Sequence, residues 1–151
     1  MTTSWILARL QGYECVLAQK KVLAYMHEKA QQIYPSMFSA LQERIRRDVE
    51  EYNVAFADHT DCQCSLKVTE GGFAVRRLAE LQRELVFVSQ PGVIIRYHLL
   101  IQYNKRHAAE PEMGHIELKA DQDGHICYQI GDELIADVSI VSRKLLERIF
   151  C

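Results

Sequence analysis

Residues able to do chemistry gather in three places along the chain. The first is His59-Thr60-Asp61-Cys62-Gln63-Cys64, which carries metal-type donors. The second spans residues 96–98 and 115–127, where Arg96, His98, Glu117, Lys119, Asp121, His125 and Cys127 alternate with apolar residues. The third is the charged stretch 104–114, with Lys105, Arg106, His107, Glu110 and Glu112.

Each place supports a chemical reading and a plainer one. His59, Cys62 and Cys64, completed by His125 and Cys127, hold the donor types of a four-ligand zinc site. Structural zinc sites repeat paired ligands two to four residues apart, and a Cys-x-Cys with distant partners lacks that repeat. Cysteines packed as small hydrophobes account for them better, so no cofactor or metal is expected. His98 beside Glu117 or Asp121 has the makings of a general base, and Arg96 suits an anionic ligand. A solvated outer sheet face would carry the same residues. The stretch 104–114 reads as a charged hairpin loop. Nucleophile elbow, P-loop, dinucleotide-binding and zinc-protease motifs are all missing, so no catalytic residue is assigned.

Periodicity describes the elements that position these residues. Val16, Leu23, Met26, Ala30 and Ile33 recur on one helical face, a seam or a core stripe. Tyr34-Pro35-Ser36 interrupts the pattern. A residue before proline avoids the helical region, so a second helix is expected from Ser36, through Met37, Leu41, Ile45 and Val49. Residues 64–69 suit a strand. Residues 75–85 hold good helix formers and read as a short helix, although Gly71-Gly72 also fits a hairpin.

Residues 85–89 form a strand, 90–92 a turn and 93–103 the clearest strand, with Val93, Ile95, Tyr97, Leu99 and Ile101 on one side. Ile116, Leu118 and Ala120 then alternate with polar residues, as do Ile126, Tyr128 and Ile130. Facing residues share a side of the sheet, so Ala120 should oppose Ile126, Leu118 Tyr128, Lys119 Cys127, Asp121 His125 and Glu117 Gln129. Gln122-Asp123-Gly124 is then the turn. Leu134, Val138, Val141, Leu145 and Ile149 mark a C-terminal helix beginning between Asp132 and Asp137.

The expected fold class is α+β: N-terminal helices, a central, mostly antiparallel sheet and a C-terminal helix packed on one sheet face. One domain covers 1–151, helical over 4–52, strand-rich over 62–131, with the last helix at about 134–150. The formal net charge is −2 without a basic run, which argues against nucleic acid as partner. The apolar run 5–8 stops at Arg9, too short for membrane insertion or a secretory leader. Five cysteines, an odd count, point to the cytoplasm.

The expected role is a non-catalytic binding module. It presents the outer sheet face, with Arg96, His98, Glu117, Lys119, His125 and Cys127, to a protein partner or to a second copy. The apolar content of that face (Ile94, Leu100 and either Leu85 or Phe87) favours a covered surface. The alternative is a small-molecule, anionic-ligand or enzymatic pocket over the same face.

Overall fold

The computed structural model describes residues 3–77, 81–89, 92–103, 107–108 and 110–151. The protein is an α+β fold in which one long helix and one short helix pack on the same face of an antiparallel sheet.

α1 (Ser4–Ala55) is 52 residues long, about 78 Å of helix at 1.5 Å per residue. The expected break at Pro35 does not occur, and Pro35 lies inside the helix. Proline removes one intrahelical bond and costs roughly 3 kcal/mol in a helix interior. Packing on both sides of the proline offsets that cost. Ala30, Tyr34, Phe38, Leu41, Ile45, Val49 and Tyr52 are all buried on one face. The Tyr34 hydroxyl donates to the Ile94 carbonyl at 3.3 Å, and the Phe38 ring meets Phe73 edge-on at 5.7 Å.

A short 3-10 turn (Thr60–Cys62) leads into the sheet. Its strands are β1 (Cys64–Thr69), β2 (Gly72–Arg77), β3 (Leu81–Ser89), β4 (Ile94–Tyr103), β5 (His107–Ala108), β6 (Glu112–Ala120), β7 (Ile126–Ile130) and β8 (Glu133–Ile135). Their order is β1-β2-β3-β4-β6-β7-β8, and β5 pairs with β4 beside that path. All pairings are antiparallel.

The short helix expected over 75–85 is replaced by strands, with residues 78–80 outside the described residues. Phe73 and Val75 alternate onto the core face, and β2 is paired on both sides, by Leu66↔Val75 and by Val75↔Leu85. Two ladders outweigh the modest helix propensity of Arg, Leu and Gln. Gly72 lets the strands close there, because a Cβ at this position would lie 2.0 Å from the Phe87 carbonyl oxygen. The expected turn at 90–92 lies mostly outside the described residues.

The β6–β7 hairpin has the expected register, with Leu118↔Tyr128, Lys119↔Cys127 and Ala120↔Ile126. Gly124 sits at φ +81°, the left-handed conformation that favours glycine. The stretch 104–114 is not one loop: residues 107–108 form β5 and Glu112 already belongs to β6. The last helix also starts later than expected. Leu134 lies on β8, paired with Gln129, and α2 spans Val138–Leu146. Asp137 caps α2 by accepting a bond from the Ser139 amide at 2.9 Å.

The core lies between the sheet and the two helices. Phe73, Val75, Leu85, Phe87, Ile95, Leu99, Ile116, Leu118 and Tyr128 meet Leu41, Ile45, Val141, Leu145 and Ile149 there. α1 and α2 are also joined by a polar tie, the Ser142 hydroxyl donating to Asp48 Oδ2 at 2.6 Å. No helix among the described residues is long and apolar enough to cross a membrane.

Candidate functional site

The face of the sheet turned away from the helices carries most of the expected site residues. Register places Arg96 between Val88 and His115, and His98 between Val86 and Met113. Ile94, Glu117, Gln129 and Leu134 form another row across four strands, and Lys119 faces Cys127. Ile94 and Leu100 share this face, whereas Leu85 and Phe87 point into the core and Val86 and Val88 take the outer positions.

Chemically, the face is a set of separate groups. Glu117 sits beside Ile94, four residues along β4 from His98, which is about 13 Å of strand. His98 therefore gains no carboxylate from Glu117, and the expected base pairing is not assembled. Glu117 instead lies 3.7 Å from Lys119, a partly exposed pair worth little. A shallow depression of about 360 Å³ is lined by Ile94, Arg96, Met113, Gly114 and His115.

His125 faces Asp121 where this side of the sheet meets the hairpin turn, its Nδ1 3.7 Å from Asp121 Oδ2 and its side chain 77% exposed. Asp121 organises that turn. Its Oδ1 accepts the amides of Asp123 and His125, each at 2.9 Å. Those bonds, the His125 amide first, hold the Asp121 carboxyl below the usual range. Burial and the neighbouring Asp121 raise the Cys127 thiol. Donor atoms of Asp121, Asp123 and His125 fall within 4.8 Å of one another, but the bonds that close the turn account for this clustering.

The other expected metal donors are dispersed. Cys62 is bonded to Cys151, and His59 is exposed beside the Phe56 ring at 5.9 Å. Cys64 is buried on β1, and burial pushes its thiol up to about 11. β1 and β7 stand five strand spacings apart, roughly 24 Å, so His125 and Cys127 cannot complete a site with Cys64.

Two features went unnoticed in the sequence. The first is the leading part of α1. Ala30 is the first buried residue, and every residue from Ser4 to Tyr25 is exposed. Lys29 Nζ donates to the Gly124 carbonyl at 2.9 Å, which marks where the helix leaves the sheet. Beyond it, Trp5, Ile6, Leu7, Leu10, Tyr13, Val16, Leu17, Val22, Leu23 and Tyr25 are 38–69% exposed. The stripe expected from Val16 to Ile33 is thereby divided: Ala30 is core, while Val16 and Leu23 face solvent. The signal was visible, since residues 5–25 carry apolar side chains on more than one side, unlike a helix lying on a core.

No family model, curated protein or solved structure matches this chain. The functional reading therefore rests on the surfaces themselves.

The second feature is the Cys62–Cys151 bond, which joins residues 89 apart in sequence. It departs from the expectation of unpaired cysteines, although Cys15, Cys64 and Cys127 are free. Beside it, the buried Arg77 points Nη1 at Cys151 Sγ, 3.2 Å away. Arginine was not expected inside, because guanidinium groups are rarely buried without a partner.

Proposed function

We propose that this protein is a non-catalytic interaction module whose projecting α1 arm pairs with another chain, a second copy of itself first. The observation that carries this reading is the exposure of ten large apolar side chains between Trp5 and Tyr25. A patch of that extent marks an interaction surface.

The spacing favours a parallel pair. Ile6, Leu10, Tyr13 and Leu17 step by four, three and four, the core positions of a two-stranded coiled coil. Leu7, Val16 and Leu23 fall at the flanking positions. These seven are roughly half exposed, offering on the order of 80 Å² apiece. A pair then buries about 1,100 Å², just under the standard range and above the roughly 1,000 Å² that a biological interface needs. In parallel register Arg9 lies across from Glu14 of the second copy, five residues on, and the reverse pairing repeats it. Antiparallel alignment about the same stripe sets Arg9 against Val16 and Glu14 against Leu7, leaving both charges without a partner.

The outer sheet face is the second surface of the module. Its mixture of Val86, Val88, Ile94 and Met113 with Arg96, His98, Glu117 and Lys119 suits a protein partner. The depression beside Arg96 supports the alternative of a small anionic ligand. A cytoplasmic setting is part of the proposal, supported by the exposed free thiol of Cys15, and it requires the Cys62–Cys151 bond to be a reversible one.

Native mass spectrometry of the untagged full chain tests the reading. A dimer is expected, and Leu10→Glu with Leu17→Glu should return it to monomer with an unchanged circular dichroism spectrum of the sheet. A strict monomer at tens of micromolar defeats self-association. A monomer carrying extra mass that Arg96→Ala removes favours the ligand alternative.

A further inference from the structure

The end of the chain holds a charge arrangement that is incomplete in the disulfide form. Arg77, the last residue of β2, is 8% exposed. Its Nε has no hydrogen-bond partner, and no carboxylate lies within 4.0 Å of it among the described residues. Arginine keeps its charge at any physiological pH, so a buried cation stands here without an anion among the described residues. Its side chain's one hydrogen-bond partner among the described residues is Cys151 Sγ at 3.2 Å, a neutral sulfur while the disulfide persists. Cleavage of that bond would create the missing anion in place.

We propose that Cys62–Cys151 is a thiol–disulfide exchange site for low-molecular-weight thiols, with Arg77 holding Cys151 as the leaving thiolate. The thiolate of a small thiol attacks Cys62 Sγ. A mixed disulfide forms on Cys62, the Cys62–Cys151 bond breaks, and its electron pair leaves on Cys151 Sγ beside the guanidinium. A second small thiolate then attacks the small-thiol sulfur of the mixed disulfide. Cys62 is released as a thiol after taking a proton from solvent, and the two small thiols leave as their own disulfide. Two electrons pass from two thiols to one protein disulfide, and the symmetric small disulfide reverses the sequence.

Three neighbours define the site. A better leaving thiolate leaves faster, and an adjacent cation improves it, so attack is directed to Cys62 rather than Cys151. Cys64 on β1 stays protonated, since burial raises its thiol, and does not compete. On α1, the Tyr52 hydroxyl accepts the Cys151 amide at 3.1 Å, and the Tyr52 ring stacks on Phe150 at 3.8 Å. Those contacts keep Cys151 near Arg77 after cleavage, ready to close again. Cys151 is exposed and Cys62 half-buried, which admits a small reductant. Arg77 is a positioning residue for this exchange.

The test uses the whole chain carrying Cys15→Ser, incubated with reduced glutathione and analysed by peptide mass spectrometry. The adduct is expected on Cys62, formed about tenfold more slowly in Arg77→Met, as for a leaving thiol made roughly two pH units less acidic. In a Cys15→Ser, Cys62→Ser chain, iodoacetamide should label Cys151 with a midpoint at least one pH unit below that of the same chain in guanidinium chloride. An adduct on Cys151, or equal midpoints in folded and unfolded chains, overturns the proposal, as does air-purified protein lacking the bond. Should Arg77→Met fail to fold, the two midpoints measured with Arg77 intact decide the matter alone.

Discussion

At the scale of single residues, Gly72 and Asp137 show how local chemistry sets the elements. Alanine at Gly72 has no room, since backbone rather than a movable side chain occupies the Cβ position. Gly72→Ala should cost roughly 2–3 kcal/mol, read as a lower urea midpoint at an unchanged slope. Asp137 and Asp121 both have carboxyls held below the ordinary range by the bonds they accept. A depressed folded value means that their contribution is complete above about pH 4 and is lost as pH falls through that lower value. Asp137→Asn should flatten the acid limb of a stability–pH curve by lowering the plateau above about pH 5, where the parent's contribution is complete, with the two curves converging at low pH. The residues legible in the sequence were those constrained from both sides. Ala120 and Ile126 could face each other in only one register, because alternation and the glycine turn agreed. Arg77 was illegible: nothing local distinguishes it from Arg76, which is exposed and paired with Glu84 at 2.7 Å.

At the scale of elements, proline and propensity gave the wrong local answer twice, for one reason. Pro35 opposes a helix and residues 75–85 favour one, yet burial of Tyr34 with Phe38, and of Val75 between two strands, decided both. Ordinary propensity terms are tenths of a kcal/mol per residue and the proline costs about 3 kcal/mol, while each large apolar side chain buried contributes about 1.5–3 kcal/mol, and several are buried on either side of Pro35. If α1 is held straight against its proline, Pro35→Ala should stabilise the protein by up to about 3 kcal/mol. If two helices met at that point instead, the substitution would leave the thermal midpoint unchanged or lower it. β8 escaped notice because its Glu133–Ile135 segment is too short to show alternation. Leu134 fitted the helical stripe equally well.

At the scale of the whole molecule, the two helices and the sheet form one body closed by a long-range bond, with a helical arm outside it. The Cys62–Cys151 link spans 89 residues of sequence, and on chain-entropy grounds a loop of that size contributes about 4–5 kcal/mol. Cys62→Ser should therefore lower stability under oxidising conditions by about that amount, and a strong reductant should bring the parent protein to the same unfolding midpoint. Neither the bond nor the arm could be ranked from the sequence. Pairing among five cysteines depends on the fold, and an apolar stretch of helix reads as core until the structure shows how little of the sheet remains to cover it.

The unbroken helix through Pro35 has one more consequence. At 100° per residue, the stripe Ile6, Leu10, Tyr13 and Leu17 lies roughly a quarter turn from the buried face of Tyr34, Leu41, Ile45 and Tyr52. Two arms joined in parallel along that stripe would carry both bodies at the same end, set to either side of the seam. Each weak contact on an outer sheet face then has a tethered twin. A target offering two copies of its own motif would be held by avidity, with the second contact meeting an effective concentration set by the span of the paired arms.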